Sequence, residues 1–346
     1  MQTDLRSMTA EECRGLMKAY GEKEYRGNQL YDWIHNRRVA TVDEMTNLSK
    51  PLRERLKEDC FYEPLTMVRH LVSKLDGTEK FAFRLWDGNV IETVLMKYEH
   101  GDSVCISSQA GCRMGCAFCA STLAGLQRGL TAGEMLEQIY LVTAQTGQKV
   151  SNVVIMGTGE PLDNYDNVVR FIRLLTDPKG YDLSARSITL STCGLVPQMH
   201  RLAEEGLPIT LAVSLHAPDD ETRKQIMPVA RRYRIEEVLA AADAYFAQTG
   251  RRITCEYSLI DGVNDSEDHA HALGRLIRGR GYHVNLISVN PIKERNYRES
   301  TALTVSAFKK ILEKYHINVT IRKKLGADID SACGQLRLET ADGKGT

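Results

Sequence analysis

SVCISSQAGCRMGCAFCAST, residues 103–122, sets three cysteines within eight positions directly after a short, mostly apolar run. SVCISS (103–108) reads as a β-strand, and Cys112, Cys116 and Cys119 follow it in a loop. Gly111 and Gly115 let that loop turn tightly around a bulky group. A structural zinc site takes four protein ligands, commonly as close pairs from two places. Here there are three, with no second close Cys/His pair to finish a tetrahedron. A 4Fe-4S cluster normally takes four thiolates, so three would leave one iron open to a small molecule. Zinc, and thiols that simply pack as small buried residues, stay open as alternatives at this point.

Outward from this stretch the chain alternates strand and helix. Further strands are expected at NVVIM (152–156), SITLS (187–191), ITLAVSL (209–215), RITCEYSLI (252–260), HVNLISV (283–289) and NVTIR (318–322). Thr131 with Glu134 three residues on fits a capping box, and the helix it opens should end near Gly147. Largely apolar strands separated by helices argue for parallel βαβ units. The fold class is therefore α/β, a partial or full parallel α/β barrel with ligands at the C-terminal ends of its strands. Residues 1–60 read as helical, with Leu30, Trp33 and Ile34 and then Leu48, Leu52 and Leu56 at helical spacing. Asp76-Gly77 and Asp87-Gly88 are hairpin signals and mark a small antiparallel β element over 61–98. The division expected is 1–60 helical, 61–98 short β element, 99–325 barrel and 326–346 a loop and tail with one cysteine.

The 346 residues are 42% hydrophobic, enough for a sizeable core. No run approaches the ~20 apolar residues of a membrane span, and MQTDLRSMTAEECRG has no apolar export core, so a cytoplasmic location is expected. Nine cysteines, an odd number, argue against a disulfide framework and for metal or catalytic use of a clustered subset. Formal charge is zero, but 19 Lys and Arg stand against 11 Asp and Glu from Arg223 to Lys324. That basic stretch permits a nucleic-acid partner. Arg231, Arg232, Arg251, Arg252, Lys323 and Lys324 are candidates to track phosphates.

The C-x-x-x-C-x-x-C spacing resembles that of the radical S-adenosylmethionine (radical SAM) superfamily. Gly157-Thr158-Gly159-Glu160-Pro161, after NVVIM, is similar to its motif for the cofactor's amino group. The match extends along the chain: YRGNQLYDWIH, DEMTNLSKPLRERL, IETVLM, VCISSQAGC, GEPLDNY, SLHAPDD, GVND and IRKKLGADIDSACGQLR all resemble the RlmN/Cfr family of radical RNA adenine methyltransferases. Glu160-Pro161-Leu162-Asp163-Asn164 and the N-terminal segment are closer to the RlmN side. The resemblance implies a 4Fe-4S cluster on Cys112, Cys116 and Cys119, and two S-adenosylmethionine molecules per turnover. It implies cofactor contacts from Gly159, Glu160, Ser191, Ser214, Leu215, His216 and Asn290. Cys333 would accept the methyl group, Cys105 would resolve the protein–RNA adduct through a transient disulfide, and Glu92 would remove the C2 proton. Partners implied are ribosomal and transfer RNA and an electron donor such as flavodoxin or ferredoxin, with the chain a monomer.

Each residue also has a plainer reading. Cys333 alone would be a free thiol in a tail, Cys105 a small buried residue, Glu92 an outward position on an alternating strand, and His216 a solvated loop histidine. Cys13, Cys60, Cys193 and Cys255 match no role. The alternatives for the whole chain are C8 methylation of the same adenine, as in Cfr, and a non-catalytic RNA-binding protein with a structural metal.

Overall fold

In the computed structural model, which describes residues 2–99 and 101–336, the strands read from the sequence join one ten-stranded sheet. In chain order they are β1 (Thr66–Val72), β2 (Glu79–Arg84), β3 (Val90–Met96), β4 (Ser103–Cys105), β5 (Asn152–Ile155), β6 (Ile188–Thr192), β7 (Thr210–Ser214), β8 (Thr254–Leu259), β9 (His283–Ser288) and β10 (Asn318–Ile321). Spatial order follows chain order, and β4 to β10 are all parallel. The edges β1 and β10 do not pair, so the barrel is partial. The antiparallel strands β1 to β3 belong to this same sheet, because β3 pairs with β4 through Val94 opposite Cys105. The sheet is thus mixed. Hairpin periodicity identified these strands but carries nothing about which edge they join.

Helices α4 (Ala132–Thr146), α5 (Tyr165–Leu175), α6 (Val196–Glu204), α8 (Ile235–Thr249), α9 (Glu267–Ile277) and α10 (Ala302–Lys314) connect the parallel strands, with the short α7 (Asp220–Ile226) ahead of α8. The expected capping box is present: Glu134 N–H donates to Thr131 Oγ1 (3.1 Å) and Thr131 N–H to Glu134 Oε2 (2.9 Å). Gly147 ends α4 at φ +68°, where a side chain would be strained. One stripe of α5, including Val168, Phe171, Ile172 and Leu175, is buried. Each such side chain contributes roughly 1.5–3 kcal/mol by leaving water.

Strand alternation then sorts the two faces of the sheet. Leu190, Leu211, Val213, Tyr257, Val284 and Leu286 lie in the core. Register puts Glu92, Cys105, Met156, Ser191, Ser214, Glu256, Ser258, Ile287 and Arg322 on the opposite, concave face. That face sets a few polar groups among apolar side chains, as a ligand surface does.

Helices α1 (Ala10–Ala19), α2 (Tyr25–Asp32) and α3 (Lys50–Asp59) form the N-terminal region, tied at its ends by Thr3 opposite Cys60. It docks on the outer helices, through Arg170 to Glu12 (2.6 Å), Tyr31 to Asp177 (2.7 Å) and Arg6 to Glu137 (3.4 Å). At the other end, the segment after β10 crosses to the hairpin between β1 and β2. Gly326 N–H donates to Asp76 (2.8 Å), and Asp328 accepts from Ser73 Oγ (2.6 Å) and Lys74 N–H (3.0 Å). The tail therefore spans the open side of the sheet; its residues 337–346 lie outside those described. Among the described residues no helix is long and apolar enough to cross a membrane.

Candidate active site

One cleft opens on the concave face at the C-terminal ends of the parallel strands, enclosing about 940 Å³ with part of it open to solvent. Cys112, Cys116, Cys119 and Cys333 all line it, with Gly159, Glu160, Ser191, Ser214, His216 and Asn290. Of the cofactor contacts expected from sequence, Leu215 alone is absent from the wall. Its side chain is buried in the main core, and its carbonyl accepts from Arg223 Nε (3.1 Å).

The cysteine loop is closed at its base by a two-stranded hairpin, Gln109–Gly111 against Leu126–Gly129. Gly111, at φ +77°, cannot be replaced, because a Cβ there would sit 1.9 Å from the Gly125 oxygen. Ala117 N–H donates to Ile226 O (2.8 Å), and Thr122 Oγ1 to Cys119 O (2.9 Å). Among the described residues no three His, Cys, Asp or Glu side chains are set to hold a metal ion. The three thiols instead line the cleft wall, a donor set that fits a multi-iron cluster in which each iron takes one thiolate. Burial pushes all three thiols up, Cys112 to about 12, so a metal must displace their protons on binding.

Beside the loop, Gly157 and Gly159 pass against the β4 segment so closely that a Cβ would meet Ile106 O at 2.6 Å or Gln109 Cβ at 2.6 Å. Glu160 is buried and accepts from Cys193 N–H (2.8 Å) and Leu162 N–H (3.0 Å). Burial raises its carboxyl against the opposing effect of those bonds. Asp163 accepts from Gln109 Nε2 (3.0 Å) and from Arg113, so the motif also clasps the cysteine loop. Ser191 and Ser214 hydroxyls lie 3.3 Å apart on neighbouring strands. His216 has a left-handed φ of +55°, held by Asn264 Nδ2, which donates to the His216 carbonyl (2.7 Å). Its Nδ1 accepts from Ser258 N–H (2.9 Å), leaving the proton on Nε2. Burial and the Arg223 charge lower the ring to about 3, so it is neutral at ordinary pH.

Cys333 sits where two cavities meet. It lines the main cleft and an adjoining one that also contains Cys105, Met96, Tyr98 and Lys324. Burial, then the neighbouring Cys333, pushes Cys105 up to about 12. Glu92 lies further along the same face, in a hollow with Arg69, Lys80 and Asp330. It is 2% exposed, so it does not point outward as its alternating strand allowed.

Several site residues were not singled out from sequence. Arg322 lines both cavities. Cys333 is the largest influence raising its pKa, and Glu256 and Cys105 add to it against the cost of burial. Its signal was a charged residue closing an apolar strand at the barrel's ligand end. Arg223, fully buried, donates to the carbonyls of Cys193 (2.6 Å), Leu215 and Ser214. Cys193 lines the cleft although sequence offered it no role. Of the six basic candidates, Lys323 and Lys324 line the adjoining cavity, and Arg231 and Arg232 follow Pro228, which touches the cysteine loop at Gly115. Arg251 and Arg252 precede β8, at the end of the sheet away from the cleft.

Comparison with known proteins places this geometry. The radical SAM superfamily model matches residues 106–273, and the ribosomal RNA large subunit methyltransferase N-terminal domain model matches 3–61. The chain is 56% identical to a protein of Lachnoclostridium phytofermentans named "Probable dual-specificity RNA methyltransferase RlmN", over 98% of this chain and 95% of that one. A protein of the same name from Lachnospira eligens is 56% identical over 97% and 96%. The crystal structure of a radical SAM methyltransferase from Sphaerobacter thermophilus matches with a TM-score of 0.92 at 43% identity, covering 96% of this chain and 99% of that one.

Proposed function

Since the chain belongs to the RlmN family of radical SAM RNA methyltransferases, we propose that it methylates C2 of adenine in large-subunit ribosomal RNA and in certain transfer RNAs. The observation that carries this reading is that Cys333, a residue of the C-terminal tail, lines the same cleft as Cys112, Cys116 and Cys119. A thiol held there is placed to carry a methyl group between a cofactor and a base.

When bound, a 4Fe-4S cluster and S-adenosylmethionine, two molecules per turnover, supply a methyl group for sulfur and a radical able to abstract hydrogen from it. Cys112, Cys116 and Cys119 hold the cluster. Gly159, Glu160, Ser191, Ser214, His216 and Asn290 hold S-adenosylmethionine, with the neutral His216 offering a hydrogen-bond donor. Cys333 carries the methyl carbon, which becomes joined to the adenine and links protein to RNA. The carboxylate of Glu92 takes the proton from C2, and the unpaired electron this leaves on the joined base would return to the one-electron carrier that the bound cluster supplies. Cys105 loses its proton and its sulfur bonds to the Cys333 sulfur. The carbon–sulfur bond breaks, its electron pair stays on carbon, and a proton completes the methyl group. Release therefore leaves a Cys105–Cys333 disulfide, which a thiol reductant returns to two thiols. Against the burial that pushes the Cys105 thiol up, Arg322 beside both cysteines lowers it.

The base must leave its stack to enter such a cleft. Arg231, Arg232, Lys323 and Lys324 meet the phosphates around it, so binding should weaken as salt rises. The enzyme works as a cytoplasmic monomer with flavodoxin or ferredoxin as electron donor. The test is anaerobic cluster reconstitution, reaction with ribosomal RNA fragments, S-adenosylmethionine and a reductant, and nucleoside mass spectrometry. 2-Methyladenosine is the expected product; 8-methyladenosine alone would transfer the chain to the C8 chemistry of Cfr.

A further inference from the structure

Glu92 is not alone in its hollow. Lys80 Nζ lies 2.9 Å from Glu92 Oε1, with the two side chains 9% and 2% exposed. The same ammonium donates to the Asp330 carbonyl at 3.2 Å, three residues before Cys333. Register explains the contact: Lys80 faces Val94 and Ala82 faces Glu92, so Lys80 and Glu92 are diagonal neighbours on the concave face. Among the described residues, the other charged groups that line this hollow are Arg69 from β1 and Asp328 and Asp330 from the tail. Asp328 is engaged by Ser73 and Lys74.

A buried ion pair is a poor device for stability, because desolvating both charges offsets most of their attraction and an apolar pair of similar volume often does as well. Its physical effect here is on the state of Glu92, since a cation at this distance favours the carboxylate over the acid. We propose that Lys80 is a positioning residue for the release chemistry, holding Glu92 ionised and fixing its place relative to the Cys333 segment through the Asp330 carbonyl. The inference rests on the reading of Glu92 as the group that takes the C2 proton. Lys80 itself touches no reacting atom. With Lys80 removed, Glu92 stays protonated to higher pH and cannot accept the C2 proton there, whereas loading of methyl onto Cys333 does not pass through Glu92.

The experiment uses the full-length, cluster-loaded enzyme and Lys80→Met, Lys80→Gln and Lys80→Arg variants. Lys80→Gln keeps a donor for the Asp330 carbonyl while deleting the charge, which covers the case in which Lys80→Met fails to fold. Two quantities are read: methyl load on Cys333 by intact-protein mass, and RNA methylation rate against pH. The expected result is normal Cys333 loading in both neutral variants, RNA methylation down at least about 10-fold near neutrality, and an acid limb moved up by about one pH unit or more. Lys80→Arg should restore the limb. An unmoved limb, or loss of Cys333 loading together with RNA methylation, overturns the role of Lys80. Glu92→Gln separates the two readings. If it is inactive while the Lys80 variants keep the wild-type limb, only the Lys80 inference falls. If it methylates RNA at the wild-type rate, Glu92 is not the base and both fall.

Discussion

Asn290 donates its Nδ2–H to the main-chain carbonyl of Cys333 at 3.0 Å, fixing a tail cysteine to the ligand end of a barrel strand. Two more bonds hold the same segment to the cysteine loop, Ala120 N–H to Gly334 O (2.7 Å) and Ser121 Oγ to Leu336 O (2.8 Å). The tail is thus hydrogen-bonded to the very loop that would carry the cluster.

Asn290→Ala removes the bond nearest the reactive sulfur. A misplacement of about 1 Å can cost on the order of 100-fold in rate, and two other bonds limit it here. Methyl loading of Cys333, followed by intact-protein mass, should slow by about 10-fold with iron content unchanged. Loading at the wild-type rate would show that the bond does not position the sulfur.

Cys105→Ala deletes the thiol that shares a cavity with Cys333. The alanine variant should still load Cys333 and join it to RNA, then stop. A covalent protein–RNA conjugate should accumulate on denaturing gels, with nuclease digestion leaving an adenosine mass on the peptide containing Cys333. Normal turnover without a conjugate would rule out release through a disulfide.

Gly159→Ala tests the glycine cradle. A Cβ at φ +110° would lie 2.6 Å from Gln109 Cβ and 2.9 Å from Gln109 N. Gln109 Oε1 in turn accepts from Glu160 N–H (2.8 Å), so the push reaches the Glu160 backbone. The substitution should cost about 1–3 kcal/mol and weaken S-adenosylmethionine binding. Thermal melting and calorimetric titration of the cluster-loaded chain give the two numbers. A variant that melts and binds like the wild type would mean the backbone has more room than these contacts allow.

Features with a local signal were readable in the sequence. The Cys112–Cys119 spacing, the Thr131–Glu134 box and the apolar runs of β5 to β10 each fall within one element, and the structure reproduces them to within about two residues. Strand β4 is shorter than SVCISS because Ser108 turns its N–H to the Thr158 carbonyl and feeds the hairpin under the cysteine loop. Lys80, Arg223 and Asn264 were not readable as site residues. Their significance lies in partners brought near by the fold: Lys80 meets Asp330 across 250 positions, and Asn264 meets His216 across 48. The charge excess from Arg223 to Lys324 likewise could not say that Arg251 and Lys324 face opposite ends of the sheet. Charge counts carry no direction.

His35 ties acid stability to the docking of the N-terminal region. It is fully buried, with Nε2 at 3.3 Å from the Met8 carbonyl and Nδ1 at 3.0 Å from the Tyr140 hydroxyl. The carbonyl can only accept, so the proton sits on Nε2 and Nδ1 accepts from tyrosine. Burial lowers the ring to about 4, and the hydrogen bond to Met8 does not offset it. In the unfolded chain the ring titrates near 6.5. Above that pH both states are neutral and the native contacts count in full. Between about 6.5 and 4 the unfolded state takes up a proton that the native state refuses, so stability falls as the pH falls. One such proton gives a slope approaching 1.4 kcal/mol per pH unit. His216, lowered further, adds a slope of the same sign. His35→Gln keeps polar atoms in the same place without a titrating ring. Its urea midpoint should therefore drop less between pH 7 and pH 5 than that of the wild type, whatever its stability at pH 7. Equal slopes for the two proteins would show that His35 is already protonated, or already exposed, in the native state.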